Sequence, residues 1–472
     1  MRSTPGADSS DGSLNERVST VVQGARTAFA SQSGAMHKRG YEALTKLESA
    51  VRAHENEFIE ALRADFGKPE LESVASELTV LYQEIRELRR RLKRFFRPSR
   101  KRVPFAFFRA SSRVLREPYG VVLVIAPWNY PLQLSLVPVA GAIAAGNSVV
   151  LKPSELAPNV AGLLESVLSQ AFPDGLVSVV NGDRTVAEAL LRNRFDHIFY
   201  TGNTTVGRII MEAASVNVTP VTLELGGKSP AIVTSNADLR VAAQRVAWGK
   251  CFNAGQTCVA PDFVAVDSAV HDEFVEHLKE ALLAMYGSSP LGNPDLARII
   301  NTRHFDRISG LLDRTGGSVW GGARDHATRF VSPAVVTGLD WDDPTMSEEI
   351  FGPVLPVLRY DSMTDLFQQV NARPRPLALY VFSEKRAEAS FVLAHIPSGG
   401  GCINDVVLQV ASSALPFGGV GDSGFGRYRG VYSLRNFTYE RSIVDHRTWP
   451  ELRFRYPPYE GKLKFMRLML GR

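Results

Sequence analysis

Cys258 is the first residue of this chain whose surroundings suggest covalent chemistry. It closes Phe252-Asn-Ala-Gly-Gln-Thr-Cys258, where a helical pattern gives way to a Gly-containing loop. A thiol becomes a useful nucleophile when a helix terminus or a nearby cation lowers its pKa. The other reading of such a cysteine is a small buried hydrophobe. Cys251 and Cys402 have no comparable loop and read as packing residues. Glu224 is the candidate base, an acid inside the apolar run Val221-Thr-Leu-Glu-Leu-Gly-Gly-Lys-Ser-Pro230. A desolvated carboxylate has a raised pKa and can act as a general base near neutral pH, whereas an edge-strand glutamate would face water. No histidine lies in a Cys-His or Ser-His hydrolase signature, and there is no G-x-S-x-G elbow. His271 and His277 stand six apart on a charged helical stretch, off one face, so they read as solvated and no metal site is expected.

Two nucleotide signatures are absent, G-x-G-x-x-G after the first strand and G-x-x-x-x-G-K-[ST]. Thr201-Gly-Asn-Thr-Thr-Val-Gly207 does follow a strand and open a helix. Backbone N–H groups and the positive end of a helix dipole would then meet a phosphate, although the same pattern also makes a plain turn.

These residues need elements to hold them. Apolar residues at three- and four-residue spacing predict helices from Ser19 to about Phe96, broken at Gly67-Lys68-Pro69. Strand–helix alternation follows. Val121–Ala126, Val149–Leu151, Val177–Val180 and His197–Tyr200 are the strands; Gln133–Ala145, Thr185–Leu191 and segments beginning at Ser154 and Thr204 are the helices. This spacing predicts a parallel sheet covered by helices on both faces, whose ligands bind beyond the carboxyl ends of the strands. The loops at Pro127–Pro131, Lys152–Glu155 and Thr201–Gly207 should therefore converge. A second α/β region begins near Gly226, with a strand at Ala231–Val233, helices at Leu239–Phe252 and Val270–Tyr286, and strands near Val335 and Pro356. A Gly-rich loop (416–427) follows, then a strand at Phe437–Asp445.

Composition bounds the class. The 472 residues are 44% hydrophobic and 22% charged, which excludes wholesale disorder and favours two or three domains. Three cysteines form no disulfide framework and suggest a reducing compartment. No apolar run reaches the roughly 20 residues of a membrane span. The polar start reads as a disordered leader. The net charge is +5, but residues 86–102 carry +9 and 451–472 carry +4, leaving about −8 elsewhere.

Seven motifs then come in register. Pro127-Trp-Asn-Tyr-Pro131, Lys152-Pro-Ser-Glu155, Thr201-Gly-Asn203, Glu224-Leu-Gly-Gly-Lys-Ser-Pro230, Gly255-Gln-Thr-Cys258, Glu348-Glu-Ile-Phe-Gly-Pro353 and Pro416-Phe-Gly-Gly419 resemble those of the aldehyde dehydrogenase superfamily, over about residues 20–445. Tyr130, the short N-terminal arm and Arg455-Tyr-Pro-Pro-Tyr459 look most like the class-three branch, which oxidises fatty, medium-chain or aromatic aldehydes.

The resemblance implies an α/β fold of two open parallel domains with a small β oligomerisation arm. Its boundaries would be a disordered leader (1–18), an NAD(P)-binding domain (19–96 and 116–226), a catalytic domain (227–426), the arm (97–115 and 427–450) and a basic amphipathic tail (451–472). It implies that Cys258 attacks the aldehyde carbon and that the Asn129 amide with the Cys258 N–H stabilises the oxyanion. Hydride transfer to the nicotinamide would leave a thioester, which Glu224 hydrolyses by activating water. Lys152 and Glu155 would lie at the adenosine ribose; Gly202, Asn203, Val206 and Gly207 at the pyrophosphate and adenine; Glu349 and Phe351 at the nicotinamide; Leu225 joins the cofactor set. Glu155 beside the 2′ position favours NAD, with NADP also accepted, since class-three relatives often use both. Phe417 is a guess for the substrate mouth.

The partners expected are an aldehyde and a second copy of the chain, with a dimer favoured over a tetramer because a long N-terminal extension is missing. Residues 86–102 read as a solvated helix leading into the arm, so no nucleic-acid partner is expected. The tail, both apolar and basic, reads as a peripheral contact with an anionic membrane on an otherwise cytoplasmic protein. A CoA-acylating relative, a redox-silent thiol esterase and an inactive binding protein are the rivals. Glu224 argues against the first, the cofactor set against the second, and Cys258, Glu224 and Asn129 together against the third.

Overall fold

The structure, a computed structural model, describes residues 7–103, 110–449 and 456–469. Val121–Ile125 is the strand on which the first half of the chain is built. Its five apolar residues, mostly β-branched, are buried on both faces. Ser148–Lys152 and Val177–Val179 pair in turn on one side of it, and His197–Thr201 and Val221–Glu224 on the other, all parallel. The chain thus leaves the central strand first in one direction and then in the other. The switch point opens a crevice at the carboxyl ends, where the three loops were expected. Gly424–Phe425 adds an antiparallel sixth strand beside Val221–Glu224, so Glu224 is not on an open edge.

A second sheet has seven strands in the order Ser318–Gly321, Ala334–Thr337, Val354–Tyr360, Phe263–Asp267, Pro230–Val233, Ala378–Phe382 and Gly400–Ile403. Ser318–Gly321 is antiparallel and the rest parallel. Ile232, Ala265, Leu358, Leu379 and Val381 build its core.

Three expectations are corrected. Of the disordered leader (1–18), residues 1–6 lie outside the described residues, while Ala7–Ser31 is a helix. Val18, Val22 and Ala25 pack with Val121, Leu123 and Val150, and that burial gives the helix a reason to form. The helix expected from Ser154 begins at Pro158, a residue suited to a first helical position because it has no N–H to leave unpaired. His271 is buried, with its ring beside the Asp272 carboxylate.

The described chain forms two compact units. One comprises the chain up to Phe95 together with Pro118–Tyr439; the other comprises Phe96–Glu117 and the chain from Glu440 onward. Residues 427–439, expected in the arm, belong to the first unit, where Tyr428, Leu434 and Phe437 are buried. Ser99–Lys101, Ala110–Pro118 and Thr438–His446 form a three-stranded sheet. Residues 104–109, 450–455 and 470–472, parts of the expected arm and tail, lie outside the described residues. Among the described residues, no helix is long and apolar enough to cross a membrane.

Candidate active site

Asn129 lies just beyond the central strand and is buried. Its Nδ2 donates to the Gln256 carbonyl at 3.0 Å, and its own carbonyl accepts from Asn253 Nδ2 at 2.9 Å. The loop expected to carry the oxyanion amide is thereby bonded to the one that carries the thiol. Asn253, Ala254 and Gly255 all have left-handed backbones, with φ of 55°, 52° and 72°. Asparagine tolerates this conformation, but for alanine it costs about 1 kcal/mol or more. Gly255 is required twice over, since a Cβ would meet the Gly352 carbonyl oxygen at 2.3 Å. Gln256 completes the frame: its Nε2 donates to the Asn253 and Arg298 carbonyls, and its Oε1 accepts from the Ile300 N–H.

Cys258 lines a half-open cavity of about 260 Å³ with Phe417, Tyr428, Trp248 and Phe252. Phe417 therefore does border the space beside the thiol. The structure does not lower the thiol pKa. Burial pushes Cys258 up to about 12, and the Glu349 and Glu224 carboxylates add to the rise. The N–H groups of Cys258 and Val259 pull weakly the other way. The sequence reading had no view of which charges would surround the sulfur, and the leading ones are acids.

Glu224 is buried, and among the described residues neither of its carboxylate oxygens has a hydrogen-bond partner. Burial holds it well above the carboxylate range, while Arg427 and Arg429 pull it partly back. Glu349 packs on Gly226, where a Cβ would sit 2.2 Å from its Oε2. Burial and Asp262 push it up to about 8, against the Gly227 N–H, Lys228 and Arg307. Its segment is held from behind. Lys228 Nζ pairs with Asp262 and donates to the Thr345 and Glu348 carbonyls, and Asp262 Oδ1 accepts from the Ile350 N–H. Phe351 meets the Trp128 ring edge-on at 5.4 Å.

A support beneath this site escaped sequence reasoning. Lys68, read only as part of a helix break, is fully buried and paired with Glu77 at 2.7 Å. Its ammonium stands 4.0 Å from the centre of the Tyr130 ring. Glu77 Oε2 accepts the Leu132 and Gln133 N–H groups, and the Tyr130 hydroxyl bonds Thr257 Oγ1 at 2.6 Å. Glu72, pushed to about 7 mainly by burial, accepts the Asn253 N–H. A lysine, tyrosine and two acids in largely apolar helical surroundings were the available signal, but nothing in their spacing identifies the partners.

Of the residues expected at a cofactor, Lys152, Glu155, Gly202, Asn203, Val206, Gly207 and Leu225 lie in or just after strands and loops of the first sheet, while Glu349 and Phe351 precede a strand of the second. Lys152 is buried, and its Nζ donates to Glu155 Oε2 at 2.8 Å. Gly202 follows the strand His197–Thr201, and Asn203 caps the helix Thr204–Ser215 through its Oδ1 and the Val206 N–H. The Thr204 and Thr205 N–H groups have no hydrogen bond among the described residues, so the helix start retains donors for an anion. Val206 is partly exposed, and Gly207 packs against Leu225. A carboxylate, a capped helix start and an apolar side chain at these positions would suit a dinucleotide. Among the described residues, no group of three or more His, Cys, Asp or Glu could hold a metal ion.

The comparisons follow this geometry. The model of the aldehyde dehydrogenase family matches residues 9–443. The 4,4'-diaponeurosporen-aldehyde dehydrogenase of Staphylococcus aureus is 41% identical over 427 residues, covering 90% of this chain and 93% of that protein. The dimeric NADP-preferring aldehyde dehydrogenase of Canis lupus familiaris is 41% identical over 450 residues, covering 95% and 99%. The solved substrate-bound state of Staphylococcus aureus AldH superposes with a TM-score of 0.93 at 39% identity, over 96% of this chain and 99% of that one.

Proposed function

The chain belongs to the aldehyde dehydrogenase family and is an oxidoreductase that oxidises aldehydes with NAD(P); from that premise we propose that it converts medium- or long-chain aliphatic or aromatic aldehydes to carboxylic acids through Cys258. The observation that carries this reading is the apolar cavity in which Cys258 lies beside Phe417, Trp248 and Phe252, with Glu224 acting on the thiol from within its field.

Cys258 loses its thiol proton to solvent through the half-open cavity; its thiolate Sγ then bonds to the aldehyde carbon, and the π pair of the carbonyl moves to the oxygen, which becomes an oxyanion. Asn129 carries no titratable charge, and one of its two amide hydrogens is committed to Gln256. The other is left to meet the oxyanion with the Cys258 N–H, in a site whose donors need no reorganisation. When bound, NAD(P) would supply the acceptor for the hydride that leaves the substrate carbon. Glu224, in its ionised form, then takes a proton from the water that attacks the resulting thioester, Cys258 leaves as the thiolate and the acid is released; the raised proton affinity of Glu224 suits it to this step.

Lys152 and Glu155 would hold the adenosine ribose. Gly202, Asn203, Val206 and Gly207 would hold the pyrophosphate and adenine, with Leu225 beneath, and Glu349 and Phe351 the nicotinamide side. The Glu155 carboxylate supports NAD as the preferred form, and its Lys152 partner leaves NADP acceptable. We assign the first sheet with its helices (19–96 and 116–226) to the cofactor and residues 227–426 to catalysis. Residues 97–115 and 440–450 form the arm of a cytoplasmic homodimer, while 427–439 stay with the first unit. The basic tail touches membrane peripherally; the dimeric name of the canine relative supports the assembly.

A panel of aldehydes with both cofactors, followed by the absorbance of the reduced cofactor, tests the reading. Cys258→Ser should abolish turnover, and Glu224→Gln should keep a burst of about one equivalent and stall at hydrolysis. Full dehydrogenase activity in Cys258→Ser would overturn it.

A further inference from the structure

Arg429 lines the same cavity as Cys258 and is the one charged residue in that wall among the described residues. It is only 4% exposed, and its Nε has no partner. Among the described residues its guanidinium makes no hydrogen bond and no ion pair; it stands by the Tyr428 ring, with centroid 5.4 Å away, and in the field of Glu84 and Glu224. A buried, unpaired guanidinium is costly, and proteins seldom keep one without a counter-charge.

The backbone has been forced to place it there. Arg429 has φ of 88°, a left-handed value that disfavours a long side chain. Ser433 Oγ accepts its N–H at 2.8 Å, and Glu84 Oε1 accepts both the Gly430 N–H and the Ser433 hydroxyl. Glu84 Oε1 is therefore spent on holding the turn, while its Oε2 makes no hydrogen bond among the described residues and feels Arg429 only through space. The neighbouring Arg427 differs, since its Nη1 donates to the Gly419 and Gly426 carbonyls. Two carboxylates lie in the field of Arg429, Glu84 and Glu224; burial raises the proton affinity of both, Arg429 opposes that rise, and among the described residues neither bonds the guanidinium directly.

We propose that Arg429 forms a carboxylate subsite in the Cys258 cavity. A carboxylate would meet it in the charge-assisted, two-pronged contact that arginine favours, while Val80, Leu134, Trp248 and Phe252 cover the apolar chain between the two ends. The carboxylate has two sources: the far end of an aldehyde that also carries an acid, or the acid product before release. In its first form the subsite rests on the reading of Cys258 as the reaction centre; in its second it is a binding site that can be measured without turnover.

The experiment compares an ω-oxo fatty acid with its methyl ester, a neutral substrate of the same length, on the wild type, Arg429→Gln and Arg429→Lys. For the substrate source, wild type should favour the acid in kcat/KM by about tenfold or more, Arg429→Gln should erase that ratio, and Arg429→Lys should retain part of it. The ratio is internal to each variant, so loss of folded protein does not mimic the result. For the product source, the matching n-alkanoate should bind wild type and Cys258→Ser alike by calorimetry, and about tenfold more weakly to Arg429→Gln. Equal use of acid and ester by wild type, together with no Arg429-dependent alkanoate binding, would overturn the subsite. Arg429-dependent alkanoate binding in a protein that oxidises no aldehyde would instead keep the subsite and overturn the function.

Discussion

At Cys258 burial and the Glu349 and Glu224 carboxylates raise the pKa of the sulfur, so the free protein should hold its nucleophile mainly as a thiol. Its thiolate fraction should rise with pH without levelling off below about 9, since a raised pKa leaves the neutral form dominant through that range. Alkylation by iodoacetamide, followed by mass spectrometry of the Cys258 peptide, measures this directly. Glu349→Gln removes the larger of the two acidic contributions and should move the labelling curve to lower pH. A plateau near pH 6 in the wild type would show that a cation reaches the sulfur after all. The type of residue at 258, 224 and 129 was legible in the chain because each stands in a compact local motif. Their protonation was not, because it depends on which distant charges the fold gathers around them.

At the scale of elements, the loops of the site are held by groups remote in sequence. Glu77 caps the start of the buried helix Gln133–Ala144 and neutralises Lys68, which in turn sits over Tyr130. Breaking one half of such a buried pair strands the other charge, at about 3–5 kcal/mol. Lys68→Met should therefore lower the unfolding midpoint in urea sharply, and Lys68→Met with Glu77→Gln should recover much of the loss. A double variant as unstable as the single one would mean that the helix cap, not the ion pair, is what matters. The strands were readable because burial on both faces demands an unbroken apolar run. The left-handed turn at 253–255 and the Lys68–Glu77 pair were not, since a turn of that hand is chosen by what packs against it, here Gly352 and Asn129.

For the molecule as a whole, His197 couples stability to acid. Its ring lies between Tyr119 and Phe437 and bonds Thr222 Oγ1 at 3.1 Å. Burial lowers its pKa from 6.5 to about 3. The unfolded chain binds the proton more readily between those values, so this stability is complete above about pH 6.5 and is lost as pH falls toward 3. His197→Phe should flatten the fall of Tm with acid, and an unchanged slope would exclude His197 as its source. The tail carries a second prediction. Leu463, Met466 and Leu468 are exposed beside Lys464 and Arg467 on the helix Lys462–Met469. The full chain should pellet with anionic vesicles several-fold more than a chain ending at Glu460, and equal pelleting would remove the membrane contact.

The sequence by itself determined the α/β class, the reactive residue types and the family resemblance, because strand burial and short motifs are written in contiguous residues. Only the tertiary structure decided that the Glu349 and Glu224 carboxylates act on the thiol, that among the described residues Glu224 stands without a hydrogen-bond partner, and that Arg429 shares the wall of the Cys258 cavity. Desolvation and long-range charge arise from residues dozens to hundreds of positions apart, and no local spacing encodes them.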